Sequence, residues 1–540
     1  MSDRADLLIR SGHVFKPGAT VDGPPATAVA VLGNRIVAVG TDRELANLRG
    51  PRTEVVDARG GLIMPGFNDA HLHLLDGALS LDQLNLYGLT DLPAVQNAIA
   101  AWATARPGDE WIVGQGWLYP AFPAGLPTRQ QLDAVLADRP AFLYCFDGHT
   151  AWANSRALER AGIDRATPDP ALGEIVRDAD GEPTGALKED ATHLISELVP
   201  QPDDETKLRL LDAAAGALAR AGITAGQDAW TDPGDVVLFD SLRSRRTLPL
   251  RLRTAFALEP GEDATTLAER LDGYEPHLDR RTDPFLRAGI VKGFLDGVVE
   301  TRTAYMLQPY PGTGTRGEPN WPDDDLRRTV AEVHRRGWQV ELHAIGTAAV
   351  RQALDAYEAL GAGEAARRRH RIEHIETIDP DDLARFAELG VVASMQPLHA
   401  IPVADAADTW QQRLAPDVAS SGWRMASLAA AGAVLAFGSD WPVVPFDPFP
   451  ALHSAVSRQS VDGWPADGWL PAERLTVVQA LAAYTSGSTF AEHADSERGS
   501  LGPGMLADVV VLDHDLLTEG PSAILGTRVV ATIVDGRRVA

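Results

Sequence analysis

One cysteine and four lysines in 540 residues are the conspicuous shortages of this chain. The lone Cys145 excludes an intramolecular disulfide framework and fits a reducing compartment. Its neighbours Phe142, Leu143, Tyr144 and Phe146 predict a buried strand, so the thiol reads as core rather than nucleophile. Basic charge is also scarce: 49 Lys and Arg stand against 75 Asp and Glu, a net charge of −26. Phosphate contact needs basic surface, so a general nucleic-acid binder is excluded. No apolar run reaches the length of a membrane span, and no membrane association is expected. The opening Met1-Ser2-Asp3-Arg4-Ala5-Asp6 lacks the basic-then-apolar order of a secretory signal, and a cytoplasmic protein is expected.

The lysine shortage is informative by position. Lys16, Lys188, Lys207 and Lys292 are the four, and arginine serves elsewhere. Lys292 lies in the apolar segment Ala288-Gly289-Ile290-Val291-Lys292-Gly293-Phe294. A lysine kept there points to amine chemistry that a guanidinium cannot perform.

Hydrophobic periodicity gives the architecture. Short strands near 7–9, 28–32 and 36–39 open the chain, and strands over 508–513 and 529–534 close it, with Asp535-Gly536 as a hairpin turn. Neither end closes a core alone. Residues 1–60 and 495–540 are therefore expected to pair into one small β-sandwich domain. Between them, strands near 221–228, 249–257, 288–295, 338–343, 369–375, 391–396 and 433–439, plus one ending at Gly66, alternate with helical stretches. Eight such units predict an α/β fold, a (β/α)8 TIM-like barrel over residues 61–494. A segment from about 80 to 205 breaks the rhythm and reads as an inserted subdomain beside the barrel mouth.

Ligand-type residues recur at the strand ends. His71 and His73, after Leu62-Ile63-Met64-Pro65-Gly66-Phe67-Asn68-Asp69-Ala70, are spaced to share one face of an extended chain and reach one metal. Lys292, His343, His374 and Asp440 follow at strands four, five, six and eight. A barrel places its active site at that end of its strands. Taken singly, each has an ordinary structural explanation: a histidine can be hydrogen-bonded core, an aspartate after Gly438-Ser439 can cap a helix, and Lys292 can pair with Asp296. The joint pattern favours one metal site. His370-Arg371-Ile372-Glu373-His374 is not a zincin helix, since its glutamate is misplaced and Ile372–Ile375 reads as strand.

With these segments the chain resembles the amidohydrolase superfamily, in its YtcJ-like (amidohydrolase 3) branch, which includes N-substituted formamide deformylases. Asp147-Gly148-His149-Thr150-Ala151-Trp152-Ala153-Asn154-Ser155, Ser439-Asp440-Trp441-Pro442 and Gly499 to Asp508 carry the resemblance as well. Met505 stands where a lysine is common in that family's return to the β-sandwich. The resemblance implies one or two divalent ions, zinc first. His71, His73 and Asp440 would hold the more buried ion and His343 and His374 the second. Lys292 would bridge them as a carbamate.

The implied chemistry is hydrolysis of a non-peptide C–N bond in an amide or formamide. Metal-activated water attacks the carbonyl, and Asp440 takes its proton and passes it to the leaving nitrogen. The partner is a small molecule, with no nucleic acid and no membrane, and a homodimer is compatible with the reading. His149 is a candidate oxyanion donor, Trp441 a pocket wall and Arg302 a contact to an anionic group, while His399 and Glu189 stay undecided. The same metal centre would serve an esterase or lactonase. A non-catalytic binding or regulatory protein on this scaffold is the third reading, and the intact ligand set argues against it.

Overall fold

Eight segments with almost wholly buried residues pair edge to edge in the computed structural model, which describes residues 4–17, 25–108, 110–122, 125–245, 248–277, 283–400 and 409–540. They are Phe67–Leu72, Ile223–Thr231, Arg251–Ala257, Leu286–Phe294, Gln339–Ala344, Arg371–His374, Val392–Met395 and Leu435–Phe437. All neighbours in this order are parallel. Strands covered on both faces need no polar alternation, which is why they read as apolar runs. Amphipathic helices such as Asp204–Arg220, Asp323–Arg335 and Thr347–Glu358 supply the crossovers. The eighth strand returns to the first where the Asp440 N–H donates to the His71 carbonyl at 2.6 Å. Gly438 permits this approach, since a Cβ there would lie 2.5 Å from the His71 nitrogen. The result is the expected TIM-like barrel.

One strand differs from expectation. Leu62–Pro65 is not a barrel strand: it pairs antiparallel with Val509–Leu512. Gly66 separates two strands, the apolar Leu62–Pro65 and the mixed Phe67–Leu72, and only the second enters the barrel. The order His13–Val14, Leu62–Pro65, Val509–Leu512, Val529–Val534, Arg537–Arg538 makes a five-stranded sheet, so it takes residues beyond position 60. A four-stranded sheet of Arg35–Gly40, Ala28–Leu32, Leu7–Arg10 and Glu54–Asp57 packs on it, with Ile9, Val31, Ile63, Val509 and Ile533 in one shared core. Asp535 and Gly536 both have positive φ, 53° and 76°, as a tight hairpin turn requires. Arg251, at the base of the third barrel strand, ties this unit down through Asp508 at 2.6 Å and Asp535 at 3.0 Å.

Between the first two barrel strands lies a six-stranded sheet, Gly173–Arg177, Pro183–Glu189, Thr150–Ala153, Ala141–Cys145, Ile112–Trp117 and Leu84–Asn85. It has its own apolar cores and buries Cys145. Its role for the site is to carry His149 and Glu189 to the barrel mouth. Among the described residues, no helix is long and apolar enough to cross a membrane.

Candidate metal centre

The barrel interior is charged at its centre. Lys292 and Glu341 are register partners, as are Glu341 and Arg371, and all three are fully buried. Alternation along Arg371–His374 turns Arg371 and Glu373 to the same side. Arg371 Nε donates to Glu373 Oε1 at 2.8 Å, and its Nη2 donates to the Ala70 carbonyl and Ser394 Oγ, each at 2.8 Å. Gln227 bridges Arg371 and Glu341. Glu373 Oε2 then lies 2.6 Å from His71 Nδ1. That hydrogen bond fixes the His71 ring and leaves Nε2 as its free donor atom, the arrangement of a carboxylate–histidine–metal triad.

Above this base the imidazoles converge on Asp440. His71 Nε2 is 3.4 Å and His73 Nε2 3.2 Å from Asp440 Oδ1, and His374 Nδ1 is 3.9 Å from Oδ2. One donor atom from each of His71, His374 and Asp440 lies within 4.8 Å of the others. His374 and Asp440 adopt φ of 72° and 63°, a conformation costing non-glycine residues about 1–3 kcal/mol each. The strand ends are thus twisted to aim both side chains inward. His343 sits one strand over, its ring 4.6 Å from that of His374 and its Nε2 3.4 Å from the Gly297 carbonyl.

Electrostatics suit a cation. Burial, then the Lys292 charge, lower the His71 pKa to about 4. Burial likewise holds His343 and His374 well below the usual imidazole range. Neutral imidazoles are the ligating form. Burial alone would raise the Asp440 carboxyl, but His71, the His73 hydrogen bond and His374 outweigh it and keep Asp440 well below the carboxylate range. Among the described residues Lys292 Nζ is buried with no hydrogen-bond partner, 4.9 Å from the Phe294 ring centroid. An orphaned amine at that depth is costly unless something completes it. Neutral imidazoles, an ionised carboxylate and an orphaned lysine amine on one cavity are a donor set that fits a divalent metal centre. Lys292 does not pair with Asp296, whose carboxylate instead accepts backbone N–H groups of Tyr305, Ile345 and Gly346 at 2.8, 3.0 and 2.8 Å.

A cavity of about 690 Å³ opens over the cluster. His149 lines it, its ring 5.7 Å from that of His343 and its Nδ1 2.7 Å from Glu189 Oε2. Burial opposes a charge on His149, yet Glu189 outweighs burial and lifts its pKa to about 9. Two sequence candidates lie off this lining. Trp441 is buried against Gly77 and Phe446 and is not among the residues lining this cavity. Arg302 occupies the turn after Val299 with φ 63° and is also absent from the lining. His399 does line the cavity, with Nε2 4.0 Å from Asp440 Oδ2.

Sequence reasoning missed Glu373 as the partner of His71. The available signal was its alternation with Arg371, two opposite charges on one face of a buried strand. It also missed Glu376, which lines the cavity. Burial, then Glu300, push the Glu376 carboxyl well above its usual range.

Comparison with known proteins gives the family. A profile of the amidohydrolase family matches residues 54–540. The chain is 33% identical to protein LONG AFTER FAR-RED 3 of Arabidopsis thaliana, covering 99% of this chain and 91% of that protein. It is 28% identical to an N-substituted formamide deformylase of Arthrobacter pascens, covering 99% and 98%. Among solved structures, an uncharacterized metal-dependent hydrolase from Pyrococcus furiosus superposes with a TM-score of 0.72 at 26% identity, covering 95% of this chain and 99% of that one. These likenesses support a hydrolase. Matched over most of its length, the chain belongs to the amidohydrolase family.

Proposed function

We propose that this protein is a metal-dependent hydrolase of a non-peptide C–N bond in a small amide or formamide. The observation that carries this is the convergence of His71, His374 and Asp440 beside an orphaned, buried Lys292. The relative named as an N-substituted formamide deformylase supports the bond class. His71, His73 and Asp440 would hold one ion, His343 and His374 a second, and Lys292 would join them after its Nζ adds to CO2 and loses a proton. Zinc suits imidazole and carboxylate donors best. When bound, the metal makes water acidic enough to act as a nucleophile near neutral pH and polarises the carbonyl.

The chain's own groups do the rest. Asp440 is ionised and accepts the proton of the attacking water, then delivers it to the leaving nitrogen. His149, protonated against Glu189, donates toward the oxygen that becomes negative. Glu373 keeps the His71 Nδ1 proton in place so that Nε2 stays a donor to metal. Phe142, Tyr144 and Phe146 from the inserted sheet wall the cavity and keep bulk water from the reacting carbonyl. A panel of N-formyl amines, N-acyl amines and matched esters tests the bond class. Turnover of the formyl or acyl amines is expected, and turnover of esters alone would contradict it.

Glu373→Gln should keep the shape of the barrel interior but remove the negative charge that raises His71 basicity. Metal affinity is expected to fall roughly 10–100-fold. Titration with zinc against a chelating competitor reads this, and unchanged affinity would remove Glu373 from the account.

A further inference from the structure

Three indoles line the cavity beyond the ligand cluster, and hydrolysis itself has no need of them. Trp410 and Trp423 have ring centroids 4.6 Å apart, and Trp469 lies 5.7 and 5.6 Å from them. Gly422 lets them close up: a Cβ there would come within 2.6 Å of the Trp410 ring and 3.1 Å of the Trp469 ring. Glu376 is fixed among them. Its Oε2 accepts the Trp410 indole N–H at 2.6 Å, and its backbone carbonyl accepts the Trp423 N–H at 2.9 Å. This carboxyl is 7% exposed and lines the cavity, and among the described residues no arginine or lysine pairs with it.

A carboxyl group buried with no cation beside it is disfavoured in its ionised form, and a cation entering the cavity would supply the missing counter-charge. Indole faces attract organic cations through their quadrupole, tryptophan most strongly. Together they match a cation with an apolar body, and the chain's net charge of −26 favours the approach of such a ligand. We propose that Glu376 with Trp410, Trp423 and Trp469 forms a subsite for an organic ammonium group carried by the substrate. That the group belongs to a hydrolysed substrate rests on the amide-hydrolase reading; that the subsite binds an ammonium does not. Glu376 follows His374 by two residues, a backbone span of at most about 7 Å. A substrate carrying the ammonium would therefore need only a short linker between it and the scissile carbonyl. The apolar side chains Val113, Phe142 and Phe146 across the cavity receive the other end.

The test is calorimetric titration of the full-length protein with 2-phenylethylammonium and, separately, its neutral counterpart 2-phenylethanol. The ammonium is expected to bind roughly tenfold or more tightly than the alcohol, about 1.4 kcal/mol of preference. In Glu376→Gln, which keeps the size and can still accept the Trp410 N–H, that preference should fall by about tenfold. Glu376→Asp, which keeps the charge, should retain it. Equal binding of the two probes by the native protein overturns the proposal without recourse to any variant, as does an undiminished preference in a folded Glu376→Gln. Ammonium binding with no amide turnover would leave the subsite standing and overturn the proposed function. Turnover of neutral formamides with no ammonium preference would do the reverse.

Discussion

Asp440→Asn is expected to lower turnover by roughly 10²–10⁴-fold, the usual size of general acid–base catalysis. Asparagine keeps the volume and one ligating oxygen, and its N–H can still hold the His71 carbonyl at the closure of the barrel. The fold and much of the metal should therefore remain, and only proton acceptance is lost. In the native protein the Asp440 carboxyl is held well below the carboxylate range, with His71, His73 and His374 outweighing burial. The activity of the native enzyme should accordingly decline only as the pH falls through that low value, and the variant should lose this acidic limb. Near-native turnover in metal-loaded Asp440→Asn would pass the role of base to another group facing the cavity, with His149 the next candidate.

Lys292→Ala is expected to cost on the order of 10²-fold or more in turnover, comparable to removing one preorganised charge-stabilising group. Short-chain carboxylic acids should restore part of it, since the space left by the side chain can admit a carboxylate to replace the carbamate. Lys292→Arg should not be restored in this way: the guanidinium cannot form a carbamate and fills the space. If Lys292→Ala retains full turnover, or if acids have no effect on a folded, metal-loaded variant, the bridging role falls. The surroundings make the loss of turnover the expected result, because Lys292 Nζ is buried without a hydrogen-bond partner among the described residues, beside Glu341, whose own carboxyl burial pushes up to about 7.

The legible part of this site was the part that sits at strand ends in a regular order. His71 and His73 were marked by spacing, Lys292 by the scarcity of lysine, His343 and Asp440 by the apolar runs before them, and His374 by its place at the end of a mixed run. The eight-stranded barrel was legible for the same reason, since a parallel sheet covered on both faces leaves continuous apolar runs. Its first strand was misplaced because the apolar run Leu62–Pro65 looks more like a buried strand than Phe67–Leu72, which carries Asn68, Asp69 and His71, and only pairing with Val509–Leu512 takes Leu62–Pro65 out of the barrel. Glu373 and Glu376 were not legible as working residues. A carboxylate in a buried strand takes its meaning from partners hundreds of positions away, His71 for one, and from Trp410 for the other. The three-indole wall joins residues 410, 423 and 469, which share no periodicity.

Metal content against activity tests the central claim most directly. The purified protein should contain one to two transition-metal ions per chain by elemental analysis. Chelation should remove the metal and abolish amide hydrolysis, and adding back zinc should restore both in proportion. Metal-free protein that hydrolyses amides undiminished would contradict the account.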